Sequence, residues 1–485
     1  MTRILFVSHT SELSGGGELS LYENILQVQK RGYECHVALP CEGLFSQRLI
    51  EYNIPFSTIP FIWACVGDDI TDDSLNQIGI ALQNADAMTA FVKVLERVSP
   101  DVVITNTIVM PWASYICKAL GIGNIILLHE WIMRADFPRM LPSPKEYLAN
   151  INLSADWVLY NSYYTQQQYA DYITTKKTSI LYPKVDLDRQ KINRLYVENV
   201  LSDTLSILIP GAIETNKNQY EALSAVKFAI DQGVDINRVT LIGVNRDDVY
   251  DREIRSYIQD NNLVGIVKIE EFSEDIYRIM NEYNIVIVPS IDESFGRVTL
   301  EAQLLGRIVI GRNSSGGTVE LIQDRVTGLL YQHGKASSLA EAIQWVFENK
   351  SSATQIAKSA MTIQGEKFLD YDTSAPLFDA INSVKTICTN NHRIKTFDPL
   401  YSMMCSRNHQ LAQHHSALAT LNATQAELAS MRLDVERMNV EIDVIQAELS
   451  ATQTKLYDML QSKSYKLGSI LLSPFIMIKR FINNH

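Results

Sequence analysis

No stretch of this 485-residue chain holds the roughly 18 to 20 consecutive apolar residues that a membrane-spanning helix needs. The apolar part of the opening MTRILFVSHT is too short for a secretory signal and reads as a first strand. A cytoplasmic protein is the expectation. Cysteine is scarce: Cys35, Cys41, Cys65, Cys117, Cys388 and Cys405 form no CxxC and no Cys/His cluster of metal spacing. That spacing argues against a disulfide framework and a structural zinc, and leaves small buried hydrophobes or free thiols. Positive charge is in the minority. With 43 Lys and Arg against 55 Asp and Glu, a formal net charge of −12, the chain lacks the broad basic footprint of a nucleic-acid binder.

What is present is apolar residue enough, 46% of the chain, for large cores, and length for roughly three domains. Strand-like and helix-like segments alternate in two series. The first runs through RILFVSH, ECHVAL, DVVITNT, NIILLHE and DWVLYNS; the second through LSILIPG, RVTLIGV, NIVIVPS and RIVIGR. Short apolar runs separated by crossover-length stretches predict parallel sheets covered on both faces. The fold class is α/β: two Rossmann-like domains, 1–184 and 185–369, facing a cleft, followed by a C-terminal coiled-coil helix. Ligands favour such domain interfaces.

The densest local signal is ESFGRVTLEA, where Glu293 and Glu301 are separated by seven residues. NIVIVPS reads as a strand leaving the sheet, IDESFG as a polar loop, and 297–305 as a helix ended by Gly306. Glu293 thus lies on the rim beyond a strand's carboxyl end, where open α/β sheets bind ligands, and Glu301 on the following helix. Gly296 permits close backbone approach, and the amides of Gly296, Arg297 and Val298 favour a phosphate.

Further landmarks stand in order along the chain. They are SGGGE at Ser14 to Glu18, His129 in LLHEW, Asn161 and Ser162, Lys217 in GAIETNKNQ, the two glutamates, and GGTVELI with VTGLLY. Over residues 3–368 the chain resembles the retaining glycosyltransferase family 4, of GT-B fold. The resemblance implies an N-terminal acceptor domain, a C-terminal donor domain and a nucleoside-diphosphate sugar as donor substrate, with no cofactor and no essential metal. It implies donor contacts from Gly16, Gly17, Lys217, Ser294, Phe295, Gly296, Arg297, Val298 and Glu301. Glu301 would take the ribose hydroxyls, while Glu293 and His129 would face the donor sugar. The departing diphosphate would help deprotonate the acceptor, so no enzymic nucleophile is implied, unlike a glycosidase. The family commonly places an arginine five residues before the lysine. Here Ala212 stands there, and Arg297 is expected to take over part of its role.

The acidic GDDITDDS, Gly67 to Ser74, reads as a solvated loop rather than a metal motif. Residues 370–408 read as an irregular crossover or linker. From 409 to 461 a heptad pattern follows, with Leu421, Leu428, Val435, Ile442, Leu449 and Leu456 at a. Thr424, Met431, Met438, Ile445, Thr452 and Met459 occupy d. Its leading reading is a coiled coil making a homo-oligomer; a helix packed back on its own domain is the alternative. The tail 462–485, with Lys463, Lys466, Lys479 and Arg480 around an apolar centre, suits an anionic membrane surface, or docking on protein. The function expected is sugar transfer to a glycan or polyprenyl-linked acceptor in cell-surface polysaccharide synthesis, at the inner face of the membrane. A GT-B nucleotide-sugar epimerase and a non-catalytic scaffold are the competing readings.

Overall fold

The computed structural model describes residues 1–390 apart from 14, 67–72, 134–138, 141–142, 175–176, 186, 197, 199–200, 202, 274 and 315; further on it describes 431, 438 and 446–455. Two units are distinguished, Met1–Asn408 and His409–His485.

In the first unit the strands are β1 (Arg3–Val7), β2 (Glu34–Leu39), β3 (Phe56–Thr58), β4 (Cys65–Val66), β5 (Val102–Asn106), β6 (Gly123–Leu128), β7 (Arg139–Met140), β8 (Trp157–Tyr160) and β9 (Lys177–Ile180). They continue with β10 (Leu205–Pro210), β11 (Ile236–Ile242), β12 (Val267–Glu270), β13 (Ile285–Val288), β14 (Ile308–Arg312) and β15 (Leu329–Tyr331). Seven form a sheet in the order β3-β2-β1-β5-β6-β8-β9, and six another in the order β12-β11-β10-β13-β14-β15. The neighbours within both sheets pair in parallel. β4 and β7 make a small antiparallel pair.

Successive strand residues point to opposite faces, so each central strand feeds two cores. Leu5 and Val7 enter one cluster and Ile4 and Phe6 the other. In the second sheet Ile207 and Ile209 face one core and Leu208 the other. All nine strand-like segments of the two sequence series are strands. The sequence reading missed the pair β4 and β7 and, within the two large sheets, β3, β9, β12 and β15. The last four are short strands of three or four residues toward the sheet edges, and KTSI and VKIE carry polar residues that blur the apolar run.

The stretch read as irregular between 370 and 408 contains a helix, Ala375–Asn390. Leu377, Phe378, Ile381 and Val384 recur at helical spacing and are buried with Ile4, Phe6 and Ile104. The chain therefore returns from the second sheet to complete the core under the first. Burying each such side chain stabilises by about 1.5–3 kcal/mol. Arg31 stacks 3.9 Å over the Phe378 ring and pairs with Asp372.

In the second unit 446–455 is helical, and Met431, Met438 and Leu449 are exposed. The rest of the heptad stretch, the tail 462–485 and most of the acidic loop, 67–72, lie outside the described residues. Among the described residues no helix is long and apolar enough to cross a membrane.

Candidate functional site

In each sheet the strand order reverses beside a central strand: β1 lies between β2 and β5, and β10 between β11 and β13. Crossovers leave such neighbours in opposite directions, so a crevice opens at the carboxyl ends of those strands. The sequence-predicted residues gather at these two rims.

On the first rim, β1 leads through His9 into the glycine turn and the helix Gly16–Lys30. β5 ends in Asn106, and β6 leads to His129. These side chains form one directed chain of hydrogen bonds. His129 Nε2 donates to Asn106 Oδ1 at 2.7 Å, and Asn106 Nδ2 donates to His9 Nδ1 at 3.3 Å. His9 Nε2 stands 3.5 Å from Glu18 Oε1. Burial pulls the His129 imidazole down to about 4, with His9 and Arg297 acting the same way against Glu18. The ring is neutral at pH 7, and with Nε2 donating, Nδ1 keeps its lone pair. Burial acts to raise the Glu18 carboxyl, but the hydrogen bond and charge of His9 outweigh it and hold the carboxyl below its ordinary range. Glu130 faces away from this chain: its carboxylate accepts the Ile108 amide at 3.1 Å, and burial pushes its pKa up. Gly17 approaches closely enough that a Cβ there would lie 3.9 Å from the His129 ring.

On the second rim the charges are paired. Lys217, in the short turn Thr215–Lys217, reaches Glu293 Oε1 at 2.5 Å, and Ser290 Oγ donates to the same oxygen at 2.8 Å. The Lys217 stem lies over Gly211, whose φ of 148° only glycine adopts readily. The loop carrying Glu293 folds against Gly317, whose amide donates to the Glu293 carbonyl at 2.6 Å. Gly296 caps the helix Arg297–Leu304 in the left-handed region at φ 87°, and a Cβ there would meet Thr318 Oγ1 at 2.7 Å. On that helix Glu301 is buried; Tyr277 donates to its carboxylate at 3.3 Å and Arg297 stands at 3.6 Å.

Arg297 lies against the glycine turn, where a Cβ at Gly16 would come 3.2 Å from its Cδ, and its guanidinium makes two 3.1 Å bonds to Glu23 and one of 2.7 Å to the Lys184 carbonyl. Burial would lower its pKa, but Glu23 and Glu301 outweigh that and raise it. Two carboxylates in a poorly solvated position hold this cation in place. The Phe295 side chain is in the core, 5.6 Å from the Tyr182 ring and 6.0 Å from Phe368, and Val298 packs against the same cluster. Only their backbones remain for a ligand. Ser294 joins the two rims. Asn161 Nδ2 donates to Ser294 Oγ and to the His129 carbonyl, both at 3.1 Å, and Ser162 and Thr165 donate to the Ser294 carbonyl.

Sequence reasoning missed Asn106, His9, Glu18 and Glu23 on the first rim, and Tyr277 and Ser290 on the second. A polar residue ending an apolar strand, as in VVITN, was the available signal for Asn106. Nothing local marks Glu23.

Residues 14–189 match the family described as Glycosyltransferase Family 4, and residues 197–362 the family described as Glycosyl transferases group 1. The capsular polysaccharide biosynthesis glycosyltransferase CapM of Staphylococcus aureus is 24% identical over 189 residues, 39% of this chain and 48% of CapM. An uncharacterised 41.2 kDa protein from the cps region of Klebsiella pneumoniae is 28% identical over 193 residues, 38% of this chain and 50% of that protein. The chain spans about half the length of the curated relatives it matches. The crystal structure of Anabaena HepE in complex with UDP and glucose superposes with a TM-score of 0.63 at 22% identity, over 79% of this chain and all of HepE. Two parallel sheets facing one cleft are the GT-B architecture, and both halves of the chain carry its family's sequence. The chain belongs to the family 4-like, group 1 glycosyltransferases.

Proposed function

We propose that this protein transfers a sugar from a nucleoside-diphosphate donor to a glycan or polyprenyl-linked acceptor in capsule-type polysaccharide synthesis, with retention at the anomeric carbon. One observation carries the reading: Lys217, Ser290 and Glu293 meet on the second rim of the same cleft that His129 and the glycine turn enter from the first. The fold match to HepE, solved with UDP and glucose, supports a nucleotide-sugar donor, and the CapM likeness supports a capsular product.

Cleaving the bond from anomeric carbon to diphosphate leaves negative charge on the leaving group. Lys217 is placed to meet that charge once the diphosphate draws it from Glu293. The neutral His129 offers Nδ1 as an acceptor for a sugar hydroxyl, and Glu293 offers carboxylate oxygens to others. Glu301, fixed by Arg297 and Tyr277, takes the ribose hydroxyls. The incoming acceptor hydroxyl forms the new bond on the face that the diphosphate leaves, and its proton passes to the departing phosphate oxygen.

The heptad helix joins copies of the chain, a reading supported by the exposure of Met431, Met438 and Leu449. The basic tail rests on anionic lipid at the cytoplasmic face. A single-chain mass in sedimentation, or equal liposome flotation of the full chain and of residues 1–461, would remove these two parts respectively.

The test of the activity is a panel of nucleoside-diphosphate sugars offered with polyprenyl-diphosphate-linked acceptors, followed by NMR of the product linkage. Transfer with the donor's anomeric configuration is expected. Free nucleotide released without glycosylated acceptor points to the epimerase instead, and a covalent sugar on Glu293 would overturn the mechanism.

A further inference from the structure

We infer that Arg246 is the second phosphate-binding cation of the donor site, taking the diphosphate together with Lys217; this rests on the glycosyltransferase reading above. The argument begins with charge. On the second rim Arg297 is held by Glu23 and Glu301, and Lys217 by Glu293. Glu214 precedes Lys217 on the same loop, and Glu18 faces from the glycine turn. Carboxylates thus outnumber these two cations, and a diphosphate entering among them would meet net repulsion. Ala212, at the end of β10, supplies no charge.

Arg246 lies where that balance can be reversed. The loop after β11 is clamped to the loop after β10: Ile213 bridges Asn245, the Ile213 amide donates to the Val244 carbonyl at 2.8 Å, and the Arg246 amide to the Ile213 carbonyl at 3.1 Å. Gly243 approaches Gly211 so closely that a Cβ at 243 would strike the Gly211 carbonyl. On either side of Arg246, Asn245 accepts the Asp247 amide at 3.1 Å, and Asp247 is bonded to Thr215 at 3.2 Å beside Lys217. The Arg246 backbone is therefore tied to the loop that presents Lys217.

Its side chain is held loosely by comparison. The side chain is 47% exposed and stands 3.9 Å from Glu214 Oε2, too long for a strong charge-assisted hydrogen bond. Its positive charge also reaches Glu18 of the first rim, adding to the lowering of that carboxyl's pKa. A half-exposed guanidinium on a fixed backbone can take two phosphate oxygens at once. A lysine there would act only as a point charge.

Titration calorimetry of the full chain with inorganic pyrophosphate, UDP and uridine tests the assignment. Arg246→Ala should weaken pyrophosphate and UDP about tenfold or more, leave uridine unchanged, and retain part of the affinity as Arg246→Lys. Adding Ala212→Arg to Arg246→Ala returns a guanidinium from the adjoining strand end and should restore UDP affinity, which a folding defect would not allow. If Arg246→Ala binds pyrophosphate and UDP within about twofold of wild type while Lys217→Ala loses both, the Arg246 assignment is overturned alone. If the wild type binds neither pyrophosphate nor any nucleoside diphosphate of a wider panel, the glycosyltransferase reading falls with it.

Discussion

The two walls of the cleft are built on opposite principles. The first is a chain of hydrogen bonds, from a neutral His129 through Asn106 to His9, that reaches a single carboxylate at Glu18. The second is a set of ion pairs, Lys217 with Glu293 and Arg297 with Glu301, in which charges are matched before any ligand arrives. Such a chain fixes which His129 nitrogen donates and leaves the other as an acceptor. Paired charges keep each of these cations against a carboxylate until a ligand competes for it. The difference teaches that one cleft can set a hydrogen-bonded wall against an ion-paired one, so that the two can be perturbed separately.

The largest break in that division should come from Lys217→Ala. Removing the cation that meets the leaving group should cost about 100-fold or more in kcat, measured with saturating donor. His129→Gln should cost less, about tenfold to 100-fold, because it removes a positioning acceptor and leaves the charges in place. It also tests the neutrality of His129. The folded His129 pKa, about 4, lies below the ordinary 6.5, so between those values the unfolded chain binds the proton and the folded one does not. Stability should therefore fall as pH drops from 6.5 toward 4, as His36, lowered by burial and by Arg97, also demands. Thermal unfolding of His129→Gln at pH 7 and 5 should show a shallower loss than wild type. An equal loss would mean that the His129 ring titrates normally.

Glu23→Ala probes the tie between the walls. It strips a buried guanidinium of one of its two carboxylates, a change of about 3 kcal/mol in stability, seen as a lower midpoint of urea unfolding. A midpoint unchanged from wild type would show that Glu301 alone suffices. The smallest effect is expected from Gly17→Ala. An added Cβ makes only ordinary 3.9 Å contact with His129, so stability should change by no more than about 0.5 kcal/mol. Donor affinity should nevertheless fall several-fold, because the methyl would occupy the side from which the phosphates approach. Unchanged affinity would remove Gly17 from the donor site.

Much of this was legible in the chain order. Apolar runs located the central strands, and the E-x7-E segment located one rim, because both signals are local. What remained hidden depends on partners distant in sequence. Arg297 and Glu23 are 274 residues apart, and no periodicity in either segment announces the other. The same holds for the helix Ala375–Asn390. Its apolar spacing is ordinary, but its destination under the first sheet is set by a surface that only the folded domain provides. Phe295 shows that a residue inside a ligand motif can turn its side chain to packing.

The Glu23–Arg297–Glu301 bridge also bears on how such proteins can be recombined. A hybrid joining the first half of this chain to the second half of a relative would draw Glu23 from one parent and position 297 from the other. Both halves could be sound separately and still mismatch at that point, leaving a carboxylate or a guanidinium enclosed without its counterpart. Exchange of the second half should therefore carry these two positions as a unit, although one lies outside the exchanged segment.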